Sequence, residues 1–432
     1  MINKKITAIT LTLVLLVSCL VFTNSKANAW WIFGDDEKET AKKVEIFSWW
    51  TGGGEEEGLQ ALYDVFKKKN PNIKIINAVV AGGAGSNAKA VLKTRMVGGN
   101  PPDSFQVHGG AELIENYVKT GLMQPLTGLL EKWGVKNKFN QQILEMCSYK
   151  GKIYSIPLDV HRGNVLWYNK DLLQKYNIQP PTTLSSFIAA LEKIDKQGNH
   201  TPLALGDKNK WTATHLFEDV LLATLGAKKY NGLWEGTTSF DHPKVREALI
   251  KFGKIMDYVN DDHAALTWQD ATKRVYDGEA VFNVMGDWAE GYFKTLGWKP
   301  NEDFGWLTTP GSKGNFMVVT DTFGLPKKAP HPKGAKAWLK TVASLKGQVT
   351  FNKIKGAIPA RIDADRSNFD PYLTDSMKDF ASTTLAPSIV HGSAAAPGFV
   401  TALNDAINAF VTVQDVDATL KAIQDAANKY LK

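Results

Sequence analysis

The chain is poor in cysteine, in blocks of like charge and in long apolar runs. Cys19 and Cys147 are its only cysteines in 432 residues. Cys19 falls in the leader, so a soluble mature chain keeps Cys147 alone and forms no internal disulfide. An exported protein of this size can rest on its core without one. Cys147 follows Ile143, Leu144 and Met146 in an apolar helical pattern, which predicts a buried packing residue. The formal net charge of +7 is spread along the chain, and loss of Lys4, Lys5 and Lys26 with the leader leaves +4. Such a distribution argues against a nucleic-acid partner. The G-x-S-x-G elbow and the H-E-x-x-H zinc motif are both missing. The glycine loop from Gly82 to Asn87 lacks the Gly-Lys-Ser/Thr ending of a phosphate loop, so it reads as a turn capped by Asn87. No internal repeat or low-complexity tract occurs.

The one long apolar run, Ile6 to Phe22, follows Lys4 and Lys5 and precedes a polar stretch ending in Ala27-Asn28-Ala29. Positive start, apolar centre and small-x-small end make residues 1–29 a secretory signal peptide cleaved after Ala29. Leu16-Val17-Ser18-Cys19 also fits a lipoprotein signal, with Cys19 as the lipid-bearing mature terminus. Either processing exports the protein, and the periplasm is its expected location. Trp30 to Lys43 reads as a disordered, charged lead-in.

The full chain has a soluble globular composition, 44% hydrophobic and 22% charged, with tryptophan in plenty at 13 residues. Periodicity predicts a strand over Val44–Trp49, a helix over Glu57–Lys69, a strand over Ile73–Val80, a helix over Asn87–Val97, a strand over Ser104–His108 and a helix over Ala111–Lys119. That order implies a parallel sheet covered by helices, and so an α/β fold. Residues 149–154 read as a tight hairpin around Lys150-Gly151. A second α/β unit follows from Asn164, and the pattern beyond Lys333 is mostly helical.

Open α/β sheets bind ligands at the carboxyl ends of their strands, and here those ends are rich in rings and hydrogen-bonding groups. Trp49 and Trp50 end the first strand, Gln106 and His108 the third; Asp159 and His161 precede the strand near 164; Asp287 and Trp288 follow the strand at 281; Asp321 follows the strand near 318. An indole offers a flat face to a pyranose, and a carboxylate accepts bonds from two neighbouring hydroxyls. Glu55, Glu56 and Glu57 open the first helix, where negative charge is favoured. The one facing the cleft is functional, and Glu57 is taken as that residue. Lys93, one turn into the second helix, can reach back to the same place. His108, His161 and His391 lack metal-ligand spacing, so no metal and no cofactor is expected. Asp287 and Asp321 could alternatively serve an exported glycosidase.

Taken together, VEIFSWWTGG (44–53), NAKAVLKTRMVGGNPPDSFQVHGG (87–110), YKGKIYSIPLDVHRGNVLWYN (149–169), FNVMGDWAEGY (282–292), DTFGLP (321–326), FNKIKGAIPAR (351–361) and IVHG (389–392) carry a resemblance. The chain resembles extracellular solute-binding proteins of the maltose-binding class, which serve ABC sugar importers, and is especially similar to their glucose/galactose- or glucose/mannose-binding branch. The resemblance implies a two-lobed periplasmic binding protein fold (type II), each lobe a β-sheet flanked by helices, with hinge crossovers at about 157, 320 and 362. Lobe 1 would hold 44–157 plus 320–361, and lobe 2 158–319 plus 362–432. It implies a non-catalytic monomer that binds glucose, galactose or mannose and delivers it to permease subunits in the inner membrane. A chemosensory sugar receptor on the same scaffold is the other alternative. The family's sugar contacts match Trp49, Trp50, Glu57, Lys93, Gln106, His108, His161, Trp268, Trp288, Asp321, Lys355 and His391. The loop of three glycines and three glutamates is longer than the family pattern, which leaves the choice among the glutamates open.

Overall fold

The computed structural model describes residues 42–82 and 85–431. The signal peptide, Cys19 and the Ala29 cleavage site lie outside the described residues. Of the expected lead-in only its end is described, and Lys43 already belongs to the first strand. No helix among the described residues is long and apolar enough to cross a membrane.

Three sheets of four or five strands and one two-stranded hairpin organise the described residues. A five-stranded sheet runs in the order Lys74–Val79, Lys43–Ser48, Ser104–His108, Asp321–Gly324, Ser155–Pro157. Its first three strands are parallel, as the βαβα pattern predicts, and Asp321–Gly324 joins them antiparallel with Asp321 opposite His108. A four-stranded sheet takes the order Phe304–Thr308, Val165–Asn169, Ala280–Val284, Thr201–Ala204. Between them in the chain path lies a third sheet, Ile358–Pro359, Asp159–Arg162, Asn315–Val319, Thr384–Pro387. The chain leaves the first sheet at Pro157, passes through Asp159–Arg162 and enters the second at Val165. It returns from Thr308 through Asn315–Val319 to Asp321. Asp159, His161 and Asp321 therefore stand where the chain changes sheets, and Val319 is registered opposite His161.

Apolar side chains form two clusters. One gathers Phe47, Trp50, Leu62, Phe105 and Trp338 under the first sheet; the other gathers Phe187, Phe217, Leu249, Phe252 and Phe410 around the helices beyond residue 184. Cys147 is fully buried, and burial pushes its thiol up to about 12. Lys150 and Gly151 both take positive φ in the hairpin that pairs Ser148–Tyr149 with Lys152–Ile153.

Three local expectations need correction. The helix Ser86–Val97 is capped by Gly85 with no side-chain bond, and Asn87 lies inside it with Nδ2 donating to the Ala81 carbonyl. The segment expected as a helix over 111–119 is one α turn, Ala111–Leu113, that widens into a π turn, Ile114–Val118. The first helix begins at Glu55, two residues ahead of expectation.

Candidate functional site

Trp49 leaves the first strand with its backbone N–H donated to Gln106 Oε1 at 3.2 Å. Gln106 Nε2 in turn donates to Asp321 Oδ1 at 2.8 Å, so the strand ends at 49, 106 and 321 are locked side by side. Gly54, with a positive φ, then turns the chain into the helix Glu55–Lys69. The turn is tight for a steric reason: a Cβ on Gly54 would come within 3.0 Å of the Gly291 backbone.

A narrow cavity opens at these strand ends. It has about 400 Å³ of atom-free space, mouth included, but the centre of a water-sized sphere moves through only about 40 Å³ of it. Its walls are rings: Trp49, Trp211, Trp268 and Trp288 with His108, His161 and His391. The rings brace one another edge to face, His391 lying 5.0 Å from Trp288, 5.2 Å from Trp211 and 5.6 Å from His108 between centroids. Glu55, Asp321 and Lys355 supply its charges.

The polar groups are arranged as a buried network. His161 Nδ1 bonds Asp287 Oδ1, and its Nε2 stands 3.5 Å from both Asp159 and Asp321. Asp287 Oδ2 also accepts from the Arg162 backbone at 2.9 Å, and Asp159 Oδ1 from the Asp321 backbone at 2.7 Å. Burial and Lys355 work against a charged imidazole, yet Asp159 and Asp287 hold the His161 pKa well above the usual histidine range. Burial and the nearby Asp321 push Asp159 up to about 6. Asp321 is held low against burial by the His161 hydrogen bond and by the charges of His108, His161 and Lys355. His391 is pushed well below its usual range by burial and by His215, His108 and Lys89, so it stands in the cavity as a neutral imidazole. Neutral imidazole both donates and accepts, which suits a hydroxyl.

The structure brings together Trp49, His108, His161, Trp268, Trp288, Asp321, Lys355 and His391 on the cavity wall. It places the other four expected residues elsewhere. Trp50 is 1% exposed, packed on Phe351 and Phe323 behind the wall. Gln106 is buried behind Asp321, which it orients. Glu57 is exposed and turns back to accept from the Gly54 N–H at 2.9 Å, which caps the helix start from the third helical position. Glu55 lines the cavity instead, 3.1 Å from Lys355 Nζ. Burial raises the Glu55 pKa against the pull of Lys355. Lys93 lines a neighbouring cavity that shares only Trp211 and His391 with this one, and it is Lys89 that reaches Glu112 and His108. Trp211 was missed because it precedes the helix Thr212–Leu225, whose apolar pattern starts visibly at His215.

Two clusters bring three metal-type donors within 4.8 Å, His215/Glu218/His391 and Asp159/His161/Asp321. In the first, Glu218 already accepts from Ser388 Oγ, from the Ile389 and Val390 N–H groups and from Tyr230. In the second, Asp159 Oδ2 and His161 Nε2 stand 3.5 Å apart, and neither has a well-aligned hydrogen-bond partner among the described residues.

Comparison with known proteins matches residues 52–349 to the family described as bacterial extracellular solute-binding protein. An uncharacterised ABC transporter extracellular-binding protein of Pyrococcus horikoshii is 43% identical over 397 residues, 91% of this chain and 89% of that protein. A probable sugar-binding periplasmic protein of Mesorhizobium japonicum is 32% identical over 400 residues, 89% of this chain and 94% of that one. Among solved structures, the bacterial solute receptor AcbH, described as preferring β-D-galactopyranose, superposes with a TM-score of 0.80 at 18% identity, covering 90% of this chain and 99% of its own. That likeness shows the two-lobed α/β fold. With an aromatic slot at the strand ends, that fold and two thirds of its length inside the family model, the chain belongs to the bacterial extracellular solute-binding proteins.

Proposed function

We propose that the chain is the substrate-binding component of an ABC-type sugar importer. It takes one monosaccharide (glucose, galactose or mannose) between lobe 1, 44–157 plus 320–361, and lobe 2, 158–319 plus 362–432, and hands it to a membrane permease. The observation that carries this reading is the narrow slot walled by four indoles and three imidazoles, with Glu55, Asp321 and Lys355 inside it. Indole faces cover the C–H faces of a pyranose, each ring worth about 1 kcal/mol beyond burial. The charged and neutral polar groups bond the hydroxyls in a dry site, where an epimer that leaves one bond unmade pays the desolvation cost. The wall draws on both lobes, Trp49 and His108 from one and Trp268 and Trp288 from the other, so a bound sugar favours the closed arrangement.

The geometry speaks against a glycosidase. Asp287 is fully buried, has both oxygens committed to His161 and Arg162, and does not line the cavity. The expected pair of Asp287 with Asp321 therefore does not flank an open space. Uptake of labelled glucose, galactose and mannose, compared between strains with and without this gene, tests the role. Lost uptake of one of them is expected; intact uptake with altered chemotaxis would assign the protein to sensing instead.

A further inference from the structure

His391 reaches the cavity on a loop, not on a strand or helix, yet its position is fixed at both ends. On one side stands Glu218, fully buried on the helix Thr212–Leu225. Its Oε1 accepts from Ser388 Oγ at 2.7 Å, and its Oε2 from the backbone N–H of Ile389 at 2.7 Å and of Val390 at 3.2 Å. Tyr230 OH lies 3.4 Å from the same oxygen and 3.1 Å from the Pro387 carbonyl, with one proton shared between the two acceptors. A carboxylate in that many bonds pins three consecutive residues, and Ser388 passes the hold onward. Having donated to Glu218, its hydroxyl accepts from the His391 backbone N–H at 3.3 Å.

On the other side the loop crosses to lobe 1. Gly392 and Ser393 offer their carbonyls to the Glu112 and Ala111 N–H groups at 2.8 and 3.1 Å. Gly110 is bare for this contact: a Cβ there would fall 2.2 Å from the Ser393 carbonyl oxygen. Glu112, whose backbone takes part, also holds Lys89 and His108 with its side chain. Lobe 2 therefore grips residues 388–390 and lobe 1 receives 392–393, with His391 between them.

We propose that Glu218 and Ser388 are positioning residues for His391, and that docking of 392–393 on Gly110–Glu112 is a closure contact that sets the ring against the sugar. This rests on the sugar-binding and closure reading above. Lobe opening would part the two backbone bonds and free His391 on the lobe 1 side, while the Glu218 hold stays. The contact thus rewards closure without touching the sugar, and it adds selectivity through one imidazole held to a single orientation.

The test measures binding of D-glucose, D-galactose and D-mannose calorimetrically, the sugar-free melting temperature, and the change in radius of gyration on adding sugar. Ser388→Ala is expected to weaken binding about three- to tenfold, with a sugar-free melting temperature lower by about 2–4 °C. Ser388→Thr, which keeps the hydroxyl, restores most of the affinity. Gly110→Ala is expected to weaken binding more than tenfold and to reduce the sugar-induced compaction, a readout that a merely structural residue would leave alone. Glu218→Gln, with one acceptor fewer, falls between these variants. If none of the three sugars binds the unsubstituted protein, the sugar reading falls and the clamp with it. If one binds, and Ser388→Ala and Gly110→Ala bind and compact as the unsubstituted protein does, the clamp alone is overturned.

Discussion

Lys355 Nζ lies 3.1 Å from Glu55 Oε1, with the lysine side chain 2% exposed. The pair joins the last turn of the helix Leu345–Lys355 to the first turn of Glu55–Lys69. Its ammonium also sits 6.0 Å from the Trp50 ring and 5.9 Å from the Trp288 ring. One cation thus ties a core tryptophan, a cavity tryptophan and the cavity's carboxylate together. Glu55, Asp321 and Asp159 keep it charged against the cost of burial.

Glu55→Gln and Glu57→Gln should separate binding from stability. Glu55→Gln leaves Lys355 without its partner inside the cavity and is expected to weaken sugar binding at least tenfold. Glu57→Gln weakens only the bond from the Gly54 N–H, costing about 0.5 kcal/mol of stability with affinity unchanged. Calorimetric titration beside chemical denaturation checks both; the opposite pattern would return the ligand role to Glu57.

The adjacent tryptophans should behave differently. Trp50→Ala empties a fully packed core position and is expected to cost about 3–5 kcal/mol in unfolding free energy. Trp288→Ala removes a cavity wall and is expected to weaken sugar binding at least tenfold at smaller cost to stability. Urea melts and titrations of the two variants decide this.

The cavity's place at the carboxyl ends of parallel strands is legible in the pattern, which names Trp49 and His108, whereas Asp321 joins them by starting an antiparallel strand opposite His108. Glu57 stands off the cavity for a local reason. The helix starts at Glu55, so Glu57 falls at the third helical position, where an acidic side chain folds back onto the cap. Trp50 was hidden by the period of two: neighbouring strand residues face opposite sides, and one of the pair had to enter the core. The strand Asp159–Arg162 carries charged residues buried on both faces, so its pattern resembles no strand template, and its role as a sheet crossing appears only in three dimensions.

Asp159 should leave a mark on the pH dependence of stability. Its folded pKa is raised from the ordinary 3.8 to about 6, so between those values the folded state binds more protons than the unfolded chain. Stability from this group is therefore greatest below pH 3.8 and declines as pH rises through about 6. Asp159→Asn should remove that decline. Melting temperatures of both proteins from pH 4 to 7 test it; parallel curves would show that Asp159 titrates normally.

Asp287→Asn should act on the sugar through His161. The amide can no longer stabilise an imidazolium, so the His161 pKa is expected to fall. Binding should weaken most above neutral pH, where the ring then loses its proton. Nuclear magnetic resonance titration of the histidine ring protons, run beside sugar affinity, shows whether the two move together; an unshifted His161 would separate Asp287 from the site.

Sugar binding in the slot stands or falls on calorimetric titration of the purified mature protein with glucose, galactose, mannose and maltose, followed in parallel by tryptophan fluorescence. It predicts one site per chain for at least one of the monosaccharides, a fluorescence change from the indoles of the slot, and weaker or no binding of maltose. Absence of heat and of any fluorescence change with all four sugars would contradict it.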